Sequence, residues 1–188
     1  MPARRLSMFA IVALCSLQSL AEGSADRLSS MAGTWDVTQR MWPAPGAEAI
    51  SLPPAIAERR LVRGTYLEEV MTPASDGQPG SFSRNAFINF NPVSSRYEYT
   101  SLDTRAPQLM VEQSERVADP ARPGELKLKG SSFTATQWGN AKNVRFTYRL
   151  TLGAIENNQQ TVRLFLTPQT VLPKKEFLAF EYVYSKRQ

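Results

Sequence analysis

The sequence predicts an all-β, antiparallel domain, a barrel or a sandwich, entered through one short helix. Three observations carry this reading. Apolar and polar residues alternate with the two-residue period of a strand in segment after segment. Turn-forming pairs separate those segments: Asp76-Gly77, Pro79-Gly80, Asn91-Pro92, Pro123-Gly124, Gly139-Asn140 and Asn157-Asn158. Helical periodicity is almost absent after residue 32.

Residues 1–21 read as an export signal. Arg4-Arg5 supplies the charged start, Leu6 to Cys15 a mostly apolar run, and Ser19-Leu20-Ala21 the small residues of a cleavage site. A second cleavage site follows Ala25, with Gly23 two residues before it. The run falls short of the roughly 20 apolar residues that a permanent membrane helix needs. Leu14 stands directly before Cys15, where a lipoprotein signal wants a small residue, so lipidation is not expected. Leu6-Ser7-Met8 does not continue a twin-arginine motif. The expected mature protein is periplasmic or extracellular, has no integral membrane segment, and comprises an N-terminal segment (22–32) and one barrel domain (33–187). Losing Cys15 removes the only thiol, and with it any disulfide or thiolate chemistry.

Ala25 to Ala32 forms about two helical turns, with Leu28, Met31 and Ala32 on one face and Gly33 as the stop. Trp35, Val37, Gln39 and Met41 open the first strand. Met41 to Pro54 carries four prolines and a glycine and reads as a loop. Strands follow over Ile56–Val62, Tyr66–Met71, Ser83–Phe90, Tyr97–Leu102, Leu109–Val117 and Leu126–Lys129. The clearest is Val144, Phe146, Tyr148, Leu150 and Leu152, in strict alternation with Arg145, Thr147, Arg149 and Thr151. Val162-Leu164-Leu166 repeats the pattern, and Phe177–Tyr184 closes the series. The sequence has no internal repeat and no second domain.

Composition excludes whole classes of chemistry. The chain of 188 residues has no histidine, so no Ser-His-Asp or Cys-His machinery and no histidine ligand for zinc or haem can exist. Losing Arg4 and Arg5 lowers the net charge from +5 to +3, too mild and too interleaved with acids for a nucleic-acid partner. Lys127-Leu128-Lys129 and Lys174-Lys175 are too short to make a basic patch. Phosphate loops, dinucleotide fingerprints and zinc motifs are absent. No cofactor and no metal site is implied.

The candidates for chemistry are carboxylates and aromatics. Glu68 and Glu69 are strand neighbours, so they face opposite ways and cannot form a catalytic pair. Glu68 shares a face with Tyr66 and Val70 and is the one expected inside. An inward carboxylate needs a partner, and Arg59, Arg60 or Arg84 can supply it. Glu112 and Glu115 pose the same question. Tyr97 and Tyr99 share a face, as do Tyr182 and Tyr184, either as packed cross-strand pairs or as the lining of a pocket. Trp138, beside Gly139-Asn140, is a lid over a barrel mouth or a surface anchor. Tyr66, Glu68, Tyr97, Tyr99, Glu112, Trp138 and Tyr148 are therefore the lumen candidates, and no catalytic set among them is complete.

Several segments resemble a known family. Ala32-Gly33-Thr34-Trp35, after a short helix, looks like the Gly-x-Trp signature of the calycin superfamily, the lipocalins and their relatives. The run from Ala57 to Glu69 is similar to a segment of a bacterial lipocalin-like family, domain of unknown function 1579. So are Phe90-Asn91-Pro92 leading to Arg96-Tyr97, the acid at Asp103, and the ending Glu181 to Arg187. The similarity spans nearly all of residues 26–187. It implies an up-and-down β-barrel of about ten strands. It also implies that Gly33 and Trp35 plug one end, with Lys186 or Arg187 lying over the indole as a cation–π contact or, equally, forming a solvated tail.

Two function classes remain. The first is a binding protein whose lumen holds a small apolar or amphipathic molecule, as barrels of this size can. The second is a histidine-independent isomerase, cyclase or hydrolase-like enzyme run by an inward Glu, Arg and Tyr. A filled-core interaction module is the plainer alternative. The binder is the first expectation, and the oligomeric state is left open.

Overall fold

The computed structural model describes residues 22–122, 124–171 and 174–188, with the backbone alone at 106 and 107. The expected export signal, with Arg4, Arg5 and Cys15, lies outside the described residues. Residues 22–31 form a helix, α1, which buries Ser24, Leu28 and Met31 at helical spacing. Eleven strands follow among the described residues: β1 (Gly33–Met41), β2 (Ile50–Val62), β3 (Tyr66–Pro73), β4 (Arg84–Asn91), β5 (Arg96–Asp103), β6 (Ala106–Ser114), β7 (Leu126–Gly130), β8 (Phe133–Trp138), β9 (Ala141–Leu152), β10 (Gln159–Pro168) and β11 (Phe177–Lys186).

Every pairing is antiparallel. Strands β1 to β6 each pair with the next, β7 pairs with β9, β9 with β10, β10 with β11, and β11 returns to β1 with Trp35 opposite Lys186. Ten strands thus close a barrel, which removes the free edges of an open sheet. The eleventh, β8, pairs with the first half of β9, from Phe146 to Ala141, while β7 pairs with the second half, from Arg149 to Leu152. The two short strands therefore follow one another along one edge of β9.

Three elements differ from the sequence expectation. Strand β2 starts at Ile50, inside the stretch expected to be loop. The register slips between Val37 opposite Ala55 and Gln39 opposite Leu52, and this bulge takes up Pro53 and Pro54. Strand β8 was not expected, because Phe133-Thr134-Ala135-Thr136-Gln137-Trp138 has no sustained apolar alternation; pairing with β9 makes it a strand. Strand β6 spans 106–114 instead of 109–117, and Ser114 Oγ closes it by accepting the Tyr97 amide and donating to the Glu115 carbonyl.

The inward positions form a core in two parts. One part, under α1, joins Leu28, Met31, Trp35, Leu67, Tyr97, Leu128 and Tyr184. The other lies toward the far end around Val144, Phe146, Tyr148, Leu166 and Phe177, with Phe133 and Trp138 packed against it. No helix among the described residues is long and apolar enough to cross a membrane.

Candidate functional site

Alternation along each strand decides which polar groups enter the barrel. Strand β3 buries Leu67, Glu69 and Met71, so the inward acid is Glu69. Strand β4 turns Arg84 inward with Ala86, Ile88 and Phe90, and β2 turns Arg59 inward with Ala55 and Ala57. These three charges meet in the middle of the lumen. Arg59 Nε donates to Glu69 Oε2 at 2.8 Å, and Arg84 Nη2 to Glu69 Oε1 at 2.7 Å. Arg84 Nη2 also donates to the Tyr184 hydroxyl at 2.6 Å, and Arg59 Nη1 to Gln160 Oε1 at 2.6 Å. Aromatic faces take up the remaining surface of the guanidinium groups. Arg59 stacks on Tyr184 at 4.0 Å, and Arg84 lies 5.0 Å from the centre of the Tyr182 ring.

Burial alone would raise the Glu69 carboxyl, but Arg84 and Arg59 outweigh it and hold the group down at about 2. Glu69 is therefore ionised throughout the physiological range.

Glu112 stands in the opposite condition. It is 2% exposed, and among the described residues no arginine bonds it and its Oε2 has no hydrogen-bond partner. Burial pushes its carboxyl up to about 8, and the Arg84 charge and the Tyr148 hydroxyl draw it back only in part. It is mostly protonated at neutral pH. Gly130, opposite Glu112 on β7, makes room for the Tyr148 ring from β9, whose hydroxyl reaches the Val111 carbonyl at 3.3 Å.

A cavity of about 410 Å³ opens at the α1 end. Leu28, Met31, Ile88, Leu126, Leu152 and Ile155 give it an apolar wall, with Asp26, Arg27, Ser30, Tyr97 and Gln160 at its polar points. Arg27 is held there by donating to the Gly124 carbonyl at 2.8 Å, with its guanidinium 5.3 Å from the Tyr97 ring centre. Met31, Ile88 and Leu152 also line a second, water-sized void of about 10 Å³, whose other walls include Arg59, Glu69 and Tyr99. Met31, Ile88 and Leu152 thus stand between the cavity and the void beside the buried charges.

The residues singled out from the sequence fall in several places. Tyr97 is buried and donates to the Pro120 carbonyl at 2.6 Å, and Tyr99 faces the small void. Glu112 and Tyr148 lie inside together. Trp138 sits at the mouth opposite α1, donating to the Pro43 carbonyl at 2.6 Å and packing edge-on to Phe146 and Phe180. Glu115 is outside, paired with Lys129 at 3.0 Å. The expectation that Tyr66 and Glu68 face the lumen is corrected. Tyr66 packs edge-on to the exposed Phe87, and Glu68 pairs with the exposed Arg60 at 2.6 Å on the outer surface.

At the α1 end Trp35 is fully buried and its indole N–H donates to the Met31 carbonyl at 3.1 Å. Lys186 Nζ lies 5.3 Å from its ring centre, and Arg59 covers it at 5.4 Å from within. Gly33 has φ +128°, and a Cβ there would meet Lys186 Cε at 2.8 Å. Arg187 turns away and pairs with Asp36 at 2.6 Å on the outside.

Gln160 and Arg105 join the interior without having been among the sequence candidates. Arg105 lies 3.4 Å from the Phe82 ring centre and pairs with Asp103 at 2.8 Å. Neither had a signal of its own. Arg84 did, since it keeps the parity of the apolar Ala86, Ile88 and Phe90.

No curated protein matches the chain. Residues 23–182 match the family of proteins of unknown function DUF1579. That span takes in α1, the whole sheet up to Tyr182, both halves of the core and the buried charges, so the chain belongs to the DUF1579 family.

Proposed function

We propose that this is an exported, lipocalin-like binding protein that takes a small apolar or amphipathic molecule into the cavity under α1. The observation that carries the reading is the cavity itself. Its volume lies in the range of small-ligand sites, most of its wall is apolar, and Arg27, Tyr97 and Gln160 are fixed at its edge by bonds of their own. The middle of the barrel is filled by Arg59, Glu69, Arg84 and their tyrosines, so the ligand's bulk sits at the α1 end.

Native mass spectrometry of protein purified from its own periplasm tests this reading. Retention of a small molecule, lost on Leu126→Trp to fill the cavity, is the expected result. An unliganded mass, together with no uptake of any apolar probe, would favour a filled-core module.

The second reading is a histidine-independent enzyme, and Glu112 favours it. A carboxyl kept protonated inside the barrel, beside Tyr148, is the form a general acid takes.

A further inference from the structure

We infer that the molecule bound under α1 is a monoanion, with its charged head turned toward Arg59 and Tyr99 and balancing the charge that Arg59 and Arg84 together carry in excess of Glu69. This inference rests on the binding reading above and adds the chemical class of the ligand.

Buried charge is unequal at this site. Arg59 and Arg84 are both buried and both bonded to the same carboxylate, Glu69. One negative charge therefore faces two positive ones. Arg105 does not alter the balance, because it is matched by Asp103. Glu112 does not restore it, because it makes no ion pair among the described residues and holds its proton. Two arginines against one glutamate leave one positive charge uncompensated in a medium where charge is costly. The faces of Tyr184 and Tyr182 soften that cost without cancelling a whole charge.

The route to these groups is apolar and starts in the cavity. Arg59, Tyr99 and Glu69 line the small void below it, the two Glu69 oxygens being taken up by Arg59 and Arg84, and Gln160 borders the cavity while bonded to Arg59. The void holds about one water, so a head group needs the Met31 side chain to give way. Met31 hangs from α1 and is an unbranched, adaptable side chain. A neutral ligand would leave the excess charge as it is, and a cation would oppose it. An acid on an apolar body satisfies both halves of the site.

The test compares three probes with one tail and different heads: decanoate, decanol and decyltrimethylammonium. Each is titrated calorimetrically into the intact protein below its micelle concentration. Decanoate should bind at least tenfold more tightly than decanol, and decyltrimethylammonium should give no measurable heat. Arg84→Gln, which leaves one arginine against one glutamate, should bring decanoate down to decanol and leave decanol unchanged. Equal binding of decanoate and decanol by the unaltered protein would overturn the inference and leave the binding reading standing. No binding of any probe would overturn both. The comparison on the unaltered protein decides by itself, should Arg84→Gln fail to fold.

Discussion

The Tyr148 ring lies over the Cα of Gly130 on the neighbouring strand, so closely that a Cβ added there would fall 1.9 Å from Tyr148 Cζ. The missing side chain of β7 is replaced by a ring from β9. Gly130→Ala should therefore cost about 1–3 kcal/mol, the usual range for overpacking. In a Tyr148→Ala background the same change should cost almost nothing. A double-mutant cycle by urea unfolding checks it, and additive losses would mean that the ring and the glycine are not coupled.

Glu112 gives the protein an alkaline titration that no histidine can obscure, since the chain has none. Its native pKa, raised from 4.5 to about 8, means that the folded chain keeps a proton the unfolded chain has released. Stability should fall as pH rises between those values, by about 1.4 kcal/mol per pH unit while one proton separates the states. Glu112→Gln should flatten the profile between pH 6 and 8. A profile unchanged by the substitution would show that Glu112 is not the titrating group.

Glu69 works with the opposite sign. Its native pKa of about 2 lies below the ordinary 4.5, so its contribution is complete above 4.5 and disappears as pH falls toward 2. Glu69→Gln strands two buried arginines, and a loss of about 3–5 kcal/mol is expected. Glu68→Gln removes only a half-buried outer-face partner of the exposed Arg60 and should cost about 0–1 kcal/mol. Denaturant unfolding of the two variants side by side measures the difference. Similar losses would contradict the strand register.

Trp35 and Trp42 form a second contrast. Trp35→Ala empties a fully buried site between α1 and Arg59 and should cost about 3–5 kcal/mol. Trp42 follows the end of β1, is half-buried, and meets Arg40 at 5.6 Å from its ring centre, so its loss should cost much less. Equal shifts in urea midpoint would remove Trp35 as the plug of this end.

Most strands were legible because their inner faces are apolar without interruption, as in Val144 to Leu152. Strand β8 was not, because its stability comes from a partner and not from its own pattern. The same reasoning explains Glu68. In Tyr66-Leu67-Glu68-Glu69-Val70-Met71 each parity holds two apolar residues and one glutamate, so alternation alone cannot choose a face. The outer set holds two bulky apolar residues, Tyr66 and Val70, which continue an exposed apolar stretch through Phe87 on β4, Leu102 on β5 and Leu109 and Val111 on β6. The charged cluster needed contacts between β2, β3, β4, β10 and β11, which no local pattern encodes. Arg59 and Arg84 were available as partners; that they share one acid and reach Gln160 and Tyr184 was not.

The closing seam of the barrel sets an order on its assembly. Asp36 and Arg187, which pair across it, are 151 residues apart, and loop-closure entropy makes such a contact slow to form. Arg59, Glu69 and Arg84 come from three consecutive strands and can meet while still bathed in water. Gln160 and Tyr184, which enclose them, arrive only with β10 and β11. The most expensive event in building this interior, drying its charges, is thereby deferred until the strands that complete their hydrogen bonds are in place.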